Sequence, residues 1–579
     1  MCQHKRLNVS FFMLNPQLFS FRNTTRHGWV LGLLLIIFLV NVLPSLRLLA
    51  EALSDIVAGE KSSFWKVLQS SATWQATWHS LYTSVLATLL ALVLGAGLAF
   101  FIALTNIRGK SFWVFMFMLP MMIPPQVTAL SWLQLMGPGS ALLQLLGIAP
   151  GLGSPQPLYS AWGIVLLMGI QHAPLVFLSV RTSLLVLPKE LVEAARLSGA
   201  SQHRIMLDMI FPLCKNGILA GAAIAFVSAL GNFGIPAMLG IPASYYVLPT
   251  LIYQKMADFG PLMLNEVSSL SVIVGAIAML GVWVQHRFQS RMALVGMPGK
   301  SLAFDLGKAR IGCEIGLGLI ITLILVLPVL ALVASSLVPA IGVPLRYDNV
   351  SFSAYAHMLA GQGVTWRAVK NSMFLSLSAA FILTCLVLPL AYITVRRPRR
   401  LYSFVLLLVD IPYALPGVVL AIACILLFAK PVPILQISLY GSLGIILFAY
   451  LSRFLTVSFK PVYASMLQLD GALEEAARLC GASMVRRWRD IVLPLLAPAA
   501  FAGFLLVFLI AVNELTVSAL LWSAGNETLG VLVFNLEDGG ETVLASAISV
   551  LIVMMIALLM LVLGIVGRNL PKGVIPWRS

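Results

Sequence analysis

Two stretches decide the fold: Glu193-Ala194-Ala195-Arg196-Leu197-Ser198-Gly199-Ala200-Ser201 and Glu475-Ala476-Ala477-Arg478-Leu479-Cys480-Gly481-Ala482-Ser483. They lie 282 residues apart, and each is followed at the same distance by a proline, Pro212 or Pro494. The repeat extends outward. Ser80, Pro120 and Pro124 map onto Ser372, Pro412 and Pro416 at an offset of 292, and Gly163 maps onto Gly444 at 281. The drop in offset leaves about ten extra residues in the first half's Gly/Pro-rich stretch 137–158. The chain is therefore a tandem duplication, with halves 1–300 and 301–579 joined by the basic linker 286–310.

Each copy, 188–212 or 470–494, has readable local physics. Pro188 suits the first position of a helix, and Asp470 suits the cap of the matching one. The helix runs through Glu-Ala-Ala-Arg and stops at Gly199 or Gly481, as helices stop at a left-handed glycine. Ser201 and Ser483 cap a second piece carrying Arg204 and Asp208, or Arg486, Arg487, Arg489 and Asp490, which is expected to end at Pro212 or Pro494. The expected product is a bent two-piece helix at the membrane surface, shaped to dock into a groove.

The rest of the chain must sit in lipid. Of 579 residues 60% are hydrophobic and 10% charged, with a mean hydropathy of +0.97. Soluble domains carry roughly 25% charged residues. This balance excludes a secreted disulfide scaffold, a soluble enzyme and a free nucleic-acid binder. A spanning helix needs about 20 apolar residues. Twelve such runs occur, near 28–50, 77–105, 111–136, 159–180, 214–240, 266–285, 311–337, 371–395, 401–429, 440–459, 495–522 and 542–567. The first is read as an uncleaved helix, since it is longer than a signal peptide's apolar core. The expected fold is all-α and integral to the membrane, with twelve transmembrane helices as two parallel six-helix repeats.

Charge sets the expected orientation. Of 37 Lys and Arg residues, 28 fall at the termini and in the loops on one side, 8 fall on the other, and Arg453 lies in a span. The excess places both termini and both repeated loops in the cytoplasm. The run Arg396-Arg397-Pro398-Arg399-Arg400 is then an inner anchor, not a nucleic-acid patch. The six cysteines have no CxxC spacing and read as reduced residues, with no metal site implied.

The repeated segments, EAARLSGASQHRIMLDMIFP and EAARLCGASMVRRWRDIVLP, resemble the EAA loops of the integral membrane subunits of binding-protein-dependent ABC importers of the type I fold. The likeness covers about 70–290 and 365–570. Two fused halves, together with Gly231-Asn232-Phe233-Gly234-Ile235-Pro236-Ala237-Met238-Leu239-Gly240, look most like permeases of the ferric-iron and thiamine branch. The resemblance implies a bacterial inner-membrane permease working by alternating access. Each EAA loop would dock one of two ATPase subunits through Glu193, Ala194, Ala195, Arg196, Gly199 and Pro212, or Glu475, Ala476, Ala477, Arg478, Gly481 and Pro494. ATP and Mg would be bound by that partner, with no cofactor in this chain. A periplasmic binding protein would deliver the solute, ferric iron first, with thiamine, a phosphorylated vitamin, a phosphonate or a polyamine as alternatives. A gradient-driven secondary transporter is the rival class, and it has no use for a docking loop on each half. Gly109-Lys110-Ser111 and Gly299-Lys300-Ser301 are not phosphate loops, because Leu104 and Leu294 stand where the first glycine belongs.

Asp410, Arg453 and Glu514 fall inside expected spans, where charge is costly and usually faces the interior. The repeat aligns Arg453 with His172 and Glu514 with Asn232. These five residues are the expected lining of the route or its gate, with a structural ion pair of Arg453 with Glu514 or Asp410 as the competing reading. The prolines of the third span in each half, at Pro120, Pro124 and Pro125 and at Pro412 and Pro416, are hinge candidates. The loops 241–265 and 523–541 are candidates for meeting a partner. The first carries Tyr245, Tyr246, Tyr253 and Asp258; the second carries Glu527, Glu537, Asp538 and Glu541.

Overall fold

A computed structural model describes residues 24–57, 62–258 without 152, 186 and 188, 263–289, and 304–566 without 361–362, 397–404, 407, 413–414, 432–437 and 513. Pro188 and most of the linker lie outside the described residues. Among the described residues nine helices are long and apolar enough to cross a membrane unbroken: Ser71–Leu104, Ala161–Leu185, Gln202–Leu230, Met263–Gln285, Gly307–Ser336, Gly363–Arg396, Leu443–Gln468, Met484–Val512 and Thr542–Val562. Two more expected spans are bent pairs. Gly28–Asn41 and Leu43–Asp55 meet at 46°, and Lys110–Met122 turns by 100° into the segment that follows Pro125. The remaining expected span, 401–429, contributes the short helix Gly417–Phe428. The expected twelve segments are thus all represented, but the third of each half is not a straight rod. We number the twelve segments span 1 to span 12 in chain order.

The break in span 3 follows from its prolines. Ile123 precedes a proline and is extended, with φ −71° and ψ 133°, because the pyrrolidine ring excludes the helical region for that residue. Pro124 then caps a new helix, Pro125–Met136, at φ −56° and ψ 143°. Pro416 caps Gly417–Phe428 at φ −54° and ψ 144°. The two halves therefore turn at the same repeat position with the same geometry. Both short helices are almost wholly buried, and Gly417–Phe428 is apolar all round. A helix without a polar face must be covered on every side.

The cover comes from the other half. Pro125–Met136 packs against Leu327–Ser336 of span 7 and touches span 12, while Gly417–Phe428 packs against Leu43–Val57 of span 1 and against span 6. Each half thus wraps its first and sixth spans around its partner's broken helix. Buried Asn41, at the bend of span 1, donates its amide to the Leu408 carbonyl at 3.1 Å, 367 residues away. The sequence halves 1–300 and 301–579 are interlocked bodies in space.

Spans 5 and 11 begin earlier than hydropathy suggests. The second piece of each repeated loop does not end at Pro212 or Pro494 but runs through it. A π-helical turn, Met206–Ile210 or Trp488–Val492, stands immediately before Phe211-Pro212 or Leu493-Pro494. Phe211 donates to the Met206 carbonyl and Leu493 to the Trp488 carbonyl, five residues back. The widened turn makes room for a ring that would clash with the carbonyl four residues earlier. The same device, Thr322–Val326, precedes Leu327-Pro328 in span 7. Spans 5 and 11 end at Leu230 and Val512, and the expected remainder becomes separate short helices, Gly234–Gly240 and Ser518–Leu521.

A further pair of short helices, Leu248–Met256 and Leu529–Asp538, folds back at the end opposite the repeated loops. Ser80 Oγ accepts the Leu248 N–H at 2.7 Å, and its repeat partner Ser372 accepts the Leu529 N–H at 2.8 Å. Both serines are buried. Ser372→Ala leaves a buried donor unpaired, at a cost of about 1–3 kcal/mol. A lower thermal unfolding midpoint of the detergent-purified protein is the expected result, and Ser80→Ala should match it.

Candidate functional site at the repeated loops and the half–half interface

The repeated loops are built as their residues require. Helix Lys189–Leu197 closes with the Ala200 N–H on the Ala195 carbonyl and the Gly199 N–H on the Arg196 carbonyl, both 3.0 Å. Helix Gly471–Leu479 closes identically, Ala482 to Ala477 at 2.9 Å and Gly481 to Arg478 at 3.0 Å. Gly199 and Gly481 sit at φ +82° and +78°, the left-handed conformation this cap needs. Asp470 caps its helix through the Ala472 N–H, and Ser201 and Ser483 cap the second pieces through Arg204 and Arg486. Glu193, Ala194, Arg196, Glu475, Ala476 and Arg478 are exposed, while Ala195 and Ala477 are half-buried. Leu197 and Leu479, at equivalent positions, are each 90% exposed. Two apolar tips in water at one end of the molecule mark a surface that awaits cover.

The two loops are held differently. In the second, buried Glu474 takes the Arg396 guanidinium on one oxygen at 2.9 Å and the Tyr392 hydroxyl on the other at 2.8 Å. Arg396 also donates to the Leu469 carbonyl at 3.1 Å, and the Tyr392 ring meets Trp488 at 5.0 Å. The run 396–400 was read as an anchor, yet Arg396 serves as a clamp; the rest lies outside the described residues. In the first loop buried Val192 replaces Glu474, and Phe100 and Leu104 replace Tyr392 and Arg396.

At the interface of the halves the sequence candidates form two matched sets. Asn232 Oδ1 accepts the Ile235 N–H at 3.2 Å, capping the turn after span 5. Glu514 Oε1 accepts the Val517 N–H at 3.0 Å, capping the turn after span 11. Each cap has a partner on the fourth span of its half. For Glu514 it is Arg453, at 3.7 Å. For Asn232 it is Gln171 at 3.2 Å, one residue before His172. Gln171 also donates to the Ile123 carbonyl at 3.3 Å, at the proline break. Arg453 lies over the corresponding break, where a Cβ on Gly417 would overlap its guanidinium. His172 instead spends its Nδ1–H on the Met168 carbonyl of its own helix at 2.7 Å. Asp410 is half-buried, and the structure pairs Arg453 with Glu514.

Sequence reasoning did not single out the aromatic contact between the halves. Phe233 and Tyr253 of the first half meet Phe534 of the second at 6.1 and 6.0 Å, ring to ring, and each other at 5.2 Å. Tyr253 and Phe534 are repeat partners at offset 281, which is the signal that could have found them.

The candidate partner loops are less free than their charge suggested. Glu527 is 7% exposed, accepts the Gly525 N–H at 3.0 Å and pairs with Arg367 at 3.4 Å. Tyr245 stacks on His79 at 3.8 Å, and Asp258 pairs with Lys255 at 3.1 Å. Asp538 and Glu541 are exposed. Burial pushes the Glu527 carboxyl up, but the backbone N–H groups and Arg367 outweigh it and hold it below the ordinary 4.5. Its stabilisation is therefore full above that value and is lost as pH falls through the lower folded one. Glu527→Gln should lower the unfolding midpoint at pH 7, and the gap to the parent protein should close in acid. Among the described residues no group of three or more His, Cys, Asp or Glu is placed to hold a metal ion.

The family model described as "Binding-protein-dependent transport system inner membrane component" matches twice, over residues 91–294 and 387–576. The ferric transport system permease protein FbpB of Actinobacillus pleuropneumoniae is 27% identical over 486 residues, 82% of this chain and 69% of that protein. The probable ABC transporter permease protein y4fN of Sinorhizobium fredii is 25% identical over 484 residues, 82% of this chain and 84% of that one. The molybdenum transport system permease protein ModB of Haemophilus influenzae is 29% identical over 203 residues, 34% of this chain and 86% of that one. With its two matched segments covering more than half of its length, the chain belongs to the family of binding-protein-dependent transport system inner membrane components, as an ABC importer permease with both membrane domains of the type I fold in one polypeptide.

Proposed function

We propose that this permease carries ferric iron inward by alternating access, driven by two ATPase subunits seated on the loops at Glu193–Gly199 and Glu475–Gly481. The observation that carries the reading is the pair of identically closed loops with Leu197 and Leu479 at their exposed tips. Those loops face the cytoplasm, together with both termini, in keeping with the excess of Lys and Arg at that end. ATP and Mg belong to the ATPase partner. A periplasmic binding protein docks at the opposite end, where Asp538 and Glu541 remain exposed.

The gate is the aromatic contact of Phe233, Tyr253 and Phe534. Opening toward the periplasm separates the halves and parts these rings. Asn232 with Gln171, and Glu514 with Arg453, hold each re-entrant turn to its proline break, so each turn moves with its half. His172 adjoins Gln171 on span 4 and bonds its own helix. Ferric iron as cargo is supported by three relatives that are named as ferric transport permeases. Molybdate and 2-aminoethylphosphonate are the alternatives that other relatives' names supply.

The test is reconstitution of the full chain in proteoliposomes with its ATPase and binding protein. ATP-dependent uptake of labelled ferric iron, absent without either partner, is the expected result. Uptake driven by an imposed proton or sodium gradient without ATP would overturn the reading.

A further inference from the structure

The inter-half linker does more than join two domains. Where the described chain resumes, Phe304 is 8% exposed and forms a bridge with Thr105, its N–H on the Leu104 carbonyl at 2.6 Å. Asn106 fastens the next residues: its amide bonds Asp305, and its carbonyl oxygen accepts the Leu306 N–H at 3.1 Å. The other side of Phe304 meets the repeated loop. The Arg196 guanidinium lies over its ring, 4.9 Å from the centroid. Phe304 also shares a cavity with Phe100, Leu104, Gln202 and Met206.

This is the place occupied in the second half by the polar clamp of Tyr392, Arg396 and Glu474. Both clamps join the end of the half's second span to its loop. The first half has Phe100, Leu104 and Val192 at those positions and cannot make an ion pair there. Among the described residues, Arg478, the repeat partner of Arg196, does not share this cation–ring contact. A cation over an aromatic face is an attractive and directional contact, so Phe304 can fix the loop's angle as well as its depth.

We infer that Phe304 is a positioning residue for the first ATPase-docking loop, clamping Arg196 to the end of span 2, so that the duplicated loops are braced by two chemically different devices. The inference rests on the ATPase-docking reading for its consequence, but the placement of the linker can be tested without it.

The first arm places a photoreactive benzoylphenylalanine at position 304 of the full chain in native membranes. Adducts are expected on residues 97–105 and 196–206; adducts confined elsewhere, or none, would overturn the brace. The second arm measures solute moved per ATP in the reconstituted importer. Phe304→Ala is expected to lower that ratio about 3- to 10-fold, and Phe304→Tyr to keep it, since the tyrosine ring still accepts a cation. Arg196→Gln should reproduce the loss, and the double variant should add little. Arg196→Gln also serves if Phe304→Ala fails to assemble. A parent-like ratio in both single variants, or an equal loss in Phe304→Tyr, would refute the inference. Should the crosslinks form while the parent chain captures no ATPase, the docking proposal fails and the brace stands.

Discussion

Replacing Leu197 and Leu479 together by glutamate is expected to strip the ATPase subunits from the permease while leaving the membrane domain folded. Both side chains are 90% exposed and carry little of the fold. Burying one leucine against a partner contributes about 1.5–3 kcal/mol. Losing both therefore weakens association of the ATPase pair by about 3–6 kcal/mol in total, about one to two orders of magnitude in Kd at each loop. Glutamate adds the cost of desolvating a charge in each socket. Single variants should lose about half as much in free energy. The measurement is co-purification and titration of the ATPase against detergent-solubilised permease, with thermal unfolding as the control for folding. Retained association at parent-like affinity would remove the observation on which the proposed function stands.

Arg453→Met is expected to be the most destabilising single change in the bundle. It strands the Glu514 carboxylate, which has 8% side-chain exposure, without its counter-charge. Breaking a buried pair from one side costs about 3–5 kcal/mol, whereas removing both charges is often near neutral. Glu514→Gln should be milder, because an amide oxygen still accepts the Val517 N–H that caps the re-entrant turn. The double variant Arg453→Met with Glu514→Gln should then recover most of the stability, and transport with it, if the pair supports the gate. Recovery of the fold with transport abolished would instead place the charges on the solute's route. The comparison needs unfolding midpoints and uptake rates on the same preparations.

Much of the design was legible because it is local. A serine three residues before an N–H, a glycine that must turn left-handed, and a proline that excludes the helical region before it all act within one helical turn. Hence the caps at Asp470, Ser201 and Ser483 and the stops at Gly199 and Gly481 are legible in the sequence, whereas the third-span prolines read as hinge candidates and the structure makes them breaks, at Pro124 and Pro416. The error at Pro212 and Pro494 was also local: a proline breaks a regular helix, but a π turn placed before it lets the helix continue. Hydropathy could not separate these outcomes. Partner choice was less legible. The repeat pointed to His172 as the counterpart of Arg453, yet Gln171 makes the equivalent contact, because a helix presents neighbouring residues about 100° apart and only the packing angle selects between them.

By itself the sequence determined that this protein lives in a membrane, that it is built twice, and that each copy carries a capped, two-piece loop. Those properties depend on apolar run length, on charge bias and on interactions spanning a few residues. Tertiary structure alone decided that spans 1 and 7 cross to the opposite half, that Phe233 and Tyr253 meet Phe534, and that Glu474 and Phe304 brace matching loops by unlike means. Such contacts join residues tens to hundreds of positions apart. Their energy comes from complementary surfaces covering one another, such as the all-apolar helix Gly417–Phe428 under its wrapping spans, and a linear pattern shows that a surface needs cover without saying which surface provides it.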